Sequence, residues 1–284
     1  MPARGETRHM DQQQHERGTR FRTLHEKGVF VIPNVWDGGS AAVMAGLGFK
    51  ALATSSAACA ATLGKLDGEI TRDEALAHAR LIAAVSEIPV AADLENGFGH
   101  APESVAETIR LAGAAGLVGG SIEDASGDPD APIYTFEHAV ERVTAAAEQA
   151  HQLPFPFTLT ARAENFLHER ADLDDTVRRL QAFERAGADV LFAPGLPDLA
   201  AVRAVCSALR KPVNFMVGMP RQPFSVAELA EAGVRRISLS TTLYRAAMTG
   251  LLAAAREVKD TGTFNYVETL MSGGQLSKYL RHGG

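Results

Sequence analysis

The chain has 284 residues, 46% of them hydrophobic and only 6% aromatic, with 26 glycines and a formal net charge of −6. That is enough apolar material for one large core, and the glycine-rich, aromatic-poor balance predicts a helix-rich α/β protein with many tight turns rather than a β-sandwich. The modest negative charge argues against a nucleic-acid or anionic-membrane partner. With no apolar run of membrane-spanning length and no secretory pattern, a soluble cytoplasmic protein is expected. Cys59 and Cys206 fit no metal or redox spacing, so both read as packing residues in a reducing compartment.

In chain order, residues 1–19 are polar and lack apolar periodicity, which predicts a disordered leader. Residues 20–284 then read as one domain in which short apolar or β-branched runs alternate with longer helical patterns. Strands are predicted to begin near Val29, Lys50, Pro89, Leu117, Pro156, Asp189, Pro212 and Arg236. Thr71-Arg-Asp-Glu74 is a capping box that should open a helix running through Ser86, and Pro102-Glu103 opens another through about Ala115. Eight βα units of roughly 30 residues close most economically as a (β/α)8 TIM barrel of about 250 residues. An amphipathic stretch over 264–280 predicts an extra C-terminal helix that packs on the barrel or on a neighbouring subunit.

In such a barrel, catalytic side chains come from the C-terminal ends of strands and the loops after them. Three acidic clusters fall there: Asp93 with Glu95, Glu123 with Asp124, and Glu164 two residues beyond Arg162. Carboxylates crowded at buried strand ends cost desolvation energy unless something pairs with them, and a divalent cation is the usual partner for several at once. Asp93, Glu95 and Glu123 are therefore the expected metal ligands, with Mg2+ as the ion and Mn2+ as the alternative. Arg162 can grip a substrate carboxylate in bidentate fashion or close a salt bridge with Glu164 or Glu123. Ser55, Ser56 and Ala57 form either an anion-holding turn or an ordinary one. Trp36 and the Asn96-Gly97-Phe98-Gly99 loop share that face, with Gly97 permitting close approach of a ligand. Asp67 sits in a glycine-flanked loop expected to overhang the same rim. Phe192, Asn214 and Met216 line the pocket only if their strands present the right face, and a one-residue slip reverses that answer.

Asp93-Leu-Glu95-Asn-Gly-Phe-Gly99, Ile122-Glu123-Asp124 and Ala161-Arg162-Ala-Glu164-Asn-Phe166 together resemble the isocitrate lyase and phosphoenolpyruvate mutase superfamily, from about Phe21 to Leu280. The family's usual Asp-x-Asp-x-Gly-Tyr-Gly is altered here at Glu95 and Phe98. The resemblance implies a magnesium-dependent barrel that cleaves small α-oxo acids at C3 to leave an enolate of pyruvate type. It implies Asp93, Glu95 and Glu123 as the metal shell, Asp67 as an acid acting on that shell through water, and Arg162 as the substrate clamp. Ser55, Ser56 and the amides after them become the carboxylate cradle. It also implies a homotetramer in which paired subunits swap the last helix.

The departures bear on subtype. The loop after the fourth strand, Ala125-Ser-Gly-Asp-Pro-Asp-Ala-Pro-Ile-Tyr134, has neither the cysteine of the tricarboxylate lyases nor the asparagine-bearing lid of the phosphonate enzymes. Decarboxylation asks least of such a lid, because CO2 leaves without being protonated. The first reading is accordingly a lyase of the oxaloacetate decarboxylase kind, with Tyr134 as a candidate proton donor. The second is a phosphoenolpyruvate mutase or phosphonopyruvate hydrolase, and the third a non-catalytic barrel that binds an α-oxo acid.

Overall fold

The computed structural model describes residues 4–219 and 222–282. In chain order the elements are α1 (Arg4–Leu24), β1 (Phe30–Ile32), α2 (Gly38–Gly46), β2 (Leu52–Ala53), α3 (Ser56–Thr62), α4 (Arg72–Val85), β3 (Val90–Asp93), α5 (Pro102–Ala114), β4 (Gly119–Glu123) and α6 (Phe136–Gln152). The second half adds β5 (Thr158–Arg162), α7 (Leu173–Arg185), β6 (Val190–Phe192), α8 (Leu199–Ala208), β7 (Val213–Met216), α9 (Val226–Glu231), β8 (Arg236–Ser238), α10 (Thr242–Thr261) and α11 (Gly273–His282). The eight strands are parallel and β1 pairs with β8, so the sheet curls back on itself. Closure between β1 and β2 falls to a single bridge at Asn34 and Ala53, with Val35 N–H donating to the Ala53 carbonyl at 2.8 Å. The molecule is a (β/α)8 barrel.

The local signals work as the sequence predicts. Thr71 and Glu74 form the reciprocal capping box that starts α4, and Pro102 occupies the first turn of α5, where a missing N–H costs nothing. The main apolar core lies between strands and helices, with Leu159 and Ala161 of β5 facing outward into it. The alternate residues Thr160 and Arg162 face the barrel interior, as do Asn214 with Met216 and Arg236 with Ser238. No helix among the described residues is long and apolar enough to cross a membrane. Cys59 and Cys206 are free, and burial pushes both thiols up to about 11, as suits packing residues.

The leader is a correction. Residues 4–19, expected to be disordered, belong to α1, while residues 1–3 lie outside the described residues. The helix lacks an apolar stripe because it docks through long polar side chains onto the carbonyls at the bottom of the barrel. Gln14 Nε2 donates to Gly113 O and Leu117 O at 2.8 and 3.0 Å, and Arg17 Nη1 to Ala83 O and Ser86 O at 3.2 and 3.0 Å. These bonds satisfy exposed carbonyls at the ends of α4 and α5. One apolar residue then closes the mouth. Phe21 is fully buried, packs edge-on against His25, and presses so closely on Gly119 that a Cβ there would lie 2.7 Å from its ring.

The C-terminal helix is shorter than the expected 264–280. A 3-10 turn over Asn265–Thr269 precedes α11, which lies against α2 of the same chain, Tyr279 filling the space above Gly46.

Replacing Phe21 by alanine should therefore destabilise the whole barrel, not merely fray its N-terminus, by about 3–5 kcal/mol in denaturant unfolding. A loss below about 1 kcal/mol would mean that α1 is dispensable to the core.

Candidate active site

At the C-terminal ends of β3, β4 and β5, one guanidinium organises the acidic residues. Arg162 Nη1 lies 3.1 Å from Asp93 Oδ1, Nη2 lies 3.2 Å from Glu123 Oε2, and Nε donates to Glu164 Oε1 at 2.8 Å. Register explains the convergence, since Arg162 pairs with Glu123 across the β4–β5 ladder and Asp93 with Ser121 across β3–β4. Asp93 is held further by the Ser56 N–H on Oδ2 and the Ser121 hydroxyl on Oδ1, at 3.2 and 3.3 Å. Phe192 supports the guanidinium from its face, 5.1 Å from ring centroid to Cζ. Burial raises the Glu123 carboxyl, opposed by Arg162; burial lowers Arg162, but Glu164, Glu123 and Asp93 together outweigh it and raise the guanidinium well above its ordinary value.

This arrangement bears on two expectations. Arg162 is not a free clamp but is engaged on three sides, and it stands between Asp93 and Glu123, so the Asp93, Glu95 and Glu123 oxygens do not converge as a ready shell. Among the described residues no group of three His, Cys, Asp or Glu side chains is arranged to hold a metal ion. The physical reason is that a fixed guanidinium fork satisfies two facing carboxylates as a cation would.

Glu95 is left out of that arrangement. Its Oε1 is buried without a hydrogen-bond partner, and burial together with Asp93 and Asp67 pushes its carboxyl up to about 7. Its backbone is held at φ 47°, a left-handed conformation uncommon for a side chain of this kind. Asp67 is likewise raised by burial and by Asp93, while a Ser56 hydrogen bond opposes the shift. A strained, orphaned carboxylate beside two others is an oxygen-only donor set with more negative charge than Arg162 neutralises on that side. Hard divalent cations fit such a set.

Two cavities meet here. The inner one, about 230 Å³, runs from Ser56, Asp67 and Arg162 at the rim down the barrel axis to Thr160, Asn214 and Arg236. The outer one, about 1050 Å³, carries Glu95, Glu123 and Glu164 on its walls and shares Ser56, Asp67 and Arg162 with the first. Ser55, Ser56 and Ala57 line the inner cavity, as do Phe192, Asn214 and Met216. Within the turn, however, Ser55 Oγ caps α3 by accepting from Ala58 N–H, and Ser56 N–H serves Asp93.

Three predicted residues fall elsewhere. Gly97 lines neither cavity, and at φ 82° a Cβ there would crowd Val105 at 3.1 Å. Trp36 stacks edge-on with Tyr244, its carbonyl bonded to His78 Nε2, and lines neither cavity. Tyr134 is buried beneath Arg142, with its hydroxyl 2.7 Å from His100 Nδ1, and it too lines neither cavity. Its loop folds back onto Asp124 through Tyr134 N–H at 2.8 Å, and Arg179 locks the corner by donating to Asp124 Oδ2 and Tyr134 O. The sequence reading passed over Arg236 at the cavity floor; its only signal was an arginine at an inward position of the eighth strand.

A parallel (β/α)8 barrel with acids and a guanidinium at the C-terminal rim defines a class of small-molecule enzymes. The sequence profile of the phosphoenolpyruvate phosphomutase family matches residues 21–259, and the chain belongs to that family. It is 30% identical to 2-methylisocitrate lyase of Escherichia coli K12 over 243 residues, covering 82% of this chain and 81% of that one. It is 29% identical over 251 residues to oxaloacetate decarboxylase of Pseudomonas aeruginosa PAO1, covering 86% and 85%. A solved structure from Burkholderia cenocepacia J2315 with a provisional lyase/mutase assignment superposes with a TM-score of 0.92 at 49% identity, over 94% of this chain and 96% of that one.

Two outcomes test the site. In metal-free protein, Glu95 holds its proton to higher pH when folded than when unfolded, so it penalises folding above its unfolded value of about 4.3 and does so fully above about 7. Glu95→Gln should then stabilise the protein in EDTA by about 1–2 kcal/mol at pH 8, the figure being reduced for partial solvent screening. The gain should vanish near pH 4, and an equal gain at both pH values in thermal melts would remove Glu95 from the argument. Tyr134→Phe should cost about 1 kcal/mol of stability while leaving turnover within twofold, and a large kcat loss at unchanged stability would return Tyr134 to the chemistry.

Proposed function

We propose that this protein is a divalent-metal-dependent carbon–carbon lyase of small α-oxo acids, and that it decarboxylates an acid of the oxaloacetate kind to pyruvate and CO2. The loop joining β4 to α6 carries this reading. Residues 124–135 contain no cysteine, lysine, arginine or histidine, and the loop is pinned on itself by Asp128 N–H to Ser126 Oγ at 2.9 Å and by a bridge between Ala125 and Ile133. A departing carbanionic acid would need a proton donor there, and a phosphonate would need a cation. CO2 needs neither.

Asp93, Glu95 and Asp67 would hold Mg2+ or Mn2+, directly or through water, with Glu123 beside them. When bound, that ion supplies Lewis-acid stabilisation of the 2-oxo oxygen. Arg162 contributes fixed positive charge at the same rim and keeps Asp93 and Glu123 oriented. In the reaction the bond from C3 to the departing carboxyl breaks, its electron pair passes into the enolate, and a proton from solvent completes the methyl group of pyruvate. The acid-walled outer cavity favours departure of a carboxylate as neutral CO2, because that removes a negative charge from a negative surface.

The family match favours one other reaction, cleavage or rearrangement of the carbon–phosphorus bond of phosphonopyruvate. For assembly we read a homotetramer, with exposed apolar residues Leu251, Leu252, Phe264 and Met271 as the surface that neighbouring subunits would cover and exchange of the last helix as its means.

With Mg2+ and a panel of oxaloacetate, phosphonopyruvate and 2-methylisocitrate, pyruvate should form fastest from oxaloacetate, without phosphate release and with loss of activity in EDTA. Phosphate or phosphoenolpyruvate from phosphonopyruvate would establish the competing reading.

A further inference from the structure

Behind the outer cavity, one buried guanidinium holds the backbone of the loop that follows Glu95. Arg142, on α6, is 1% exposed and is among the largest fully buried side chains. Its Nη1 donates to Gly99 O at 2.7 Å and also to His100 O, and its Nη2 donates to Asn96 O. Cζ sits 4.3 Å from the centroid of the Tyr134 ring, so the same cation also rests on the loop joining β4 to α6. None of the salt bridges among the described residues involves Arg142, and its Nε is buried without a partner.

An arginine keeps its proton in a protein, and burying that charge without a counter-charge is unfavourable. Packing alone would be served by an apolar residue, as it is at the neighbouring positions Ala139, Val143 and Ala146 of the same helix. What the guanidinium reaches instead is three carbonyls among five consecutive residues, Asn96 to His100. That stretch is strained. Glu95 at φ 47°, Gly97 at φ 82° and Phe98 at φ 58° are all left-handed, and two of the three carry a side chain. Such a turn persists only where its surroundings over-determine it. Within the loop, Phe98 N–H donates to Asn96 Oδ1 at 3.0 Å and Gly97 N–H to Leu94 O at 2.8 Å. From outside, the Thr108 hydroxyl holds the Gly97 carbonyl at 2.8 Å, and Arg142 holds those of Asn96, Gly99 and His100.

Both loops that Arg142 touches wall the outer cavity. Glu95, Asn96, Phe98, Gly99 and His100 line it from one, and Ala125, Ser126 and Gly127 from the other. Their side chains meet at two places, Asn96 Nδ2 to Ser126 O at 3.4 Å and the Tyr134 hydroxyl with His100 Nδ1 at 2.7 Å. The guanidinium adds a third tie, which grips the backbone of the left-handed turn itself.

We propose that Arg142 is a positioning residue for the metal rim. It holds residues 96–100 in the left-handed form that keeps the Glu95 carboxylate on the cavity wall, and through the Tyr134 ring it couples that turn to the loop joining β4 to α6. The assignment rests on reading Asp93, Glu95 and Asp67 as the holders of a divalent cation. Arg142 lines neither cavity, so its effect passes through the backbone of the Glu95 loop. A phenylalanine at position 134 still offers the guanidinium a ring face, which agrees with turnover being spared in Tyr134→Phe.

Mn2+ titration by calorimetry, with amide hydrogen exchange beside it, tests this without turnover. Arg142→Lys keeps the charge but not the planar fork, and it should weaken Mn2+ roughly tenfold, the effect of losing a partner that orients a metal ligand. In a Glu95→Gln background the same change should cost only a small part of that loss, because the carboxylate it positions is gone. Phe21→Ala, which destabilises the barrel from its opposite end, should keep wild-type affinity. In EDTA, Arg142→Lys should speed exchange over 95–100 and 125–134 together and leave β8 unchanged. Unchanged affinity in Arg142→Lys, an equal loss with glutamate or glutamine at position 95, a matching loss in Phe21→Ala, or faster exchange in one loop alone would overturn the proposal. Should Arg142→Lys not fold, Tyr134→Ala removes the ring side of the clamp and is read by the same two measurements. Wild-type protein that takes up no Mn2+ would sink the metal reading; joint loosening of the two loops would then still carry the clamp, and its absence would end it.

Discussion

Three strands of this barrel are tied together at their C-terminal ends by one side chain. Arg162 meets Asp93 from β3, Glu123 from β4 and Glu164 just past the end of its own strand, and each contact uses a different nitrogen. Removing the guanidinium would leave one buried and two half-buried carboxylates facing one another, a larger cost than the net stabilisation of any one pair. The ion cluster is therefore better understood as fixing the shape of the rim than as adding stability. Because β4 and β5 are in register at Glu123 and Arg162, the same contact also fixes the strands' relative height.

Below the rim the barrel departs from a filled core. Small residues on β2, β3 and β4 open the axis, while polar residues on β5, β7 and β8 line it. Such a hollow would admit water from both ends were the bottom not sealed, and α1 seals it with Phe21 and His25. The helix that looked like a leader is therefore part of the site's architecture, because His25 Nε2 lies 3.4 Å from Arg236 Nη1 at the cavity floor.

The fold was legible because strand starts and helix caps are local signals. Each observed strand begins within two residues of its predicted position, and the capping box at Thr71 opens α4 where it should. The acid rim was legible for the same reason, since strand ends mark one face of a barrel. Partnership was not legible. Whether Arg162 meets a substrate or three carboxylates depends on interstrand register, and whether Tyr134 faces the site depends on a loop closed by Arg179 and Arg142, residues 45 and 8 positions away in sequence. Helix α1 escaped detection because its docking bonds run from scattered polar side chains to backbone carbonyls, leaving no hydrophobic period to read.

Glu95 carries the most direct sign that stability has been given up for function. A carboxylate oxygen with no partner, on a left-handed residue, near two further acids, is unfavourable three times over. Glutamine would remove the charge repulsion, and glycine the repulsion, the orphaned oxygen and the left-handed strain together. Burial alone does not require the arrangement, because Glu95 lines the outer cavity rather than the closed core. What it does provide is a concentration of oxygen donors whose mutual repulsion a divalent cation would relieve, so part of the cost of gathering them would be offset by binding such an ion.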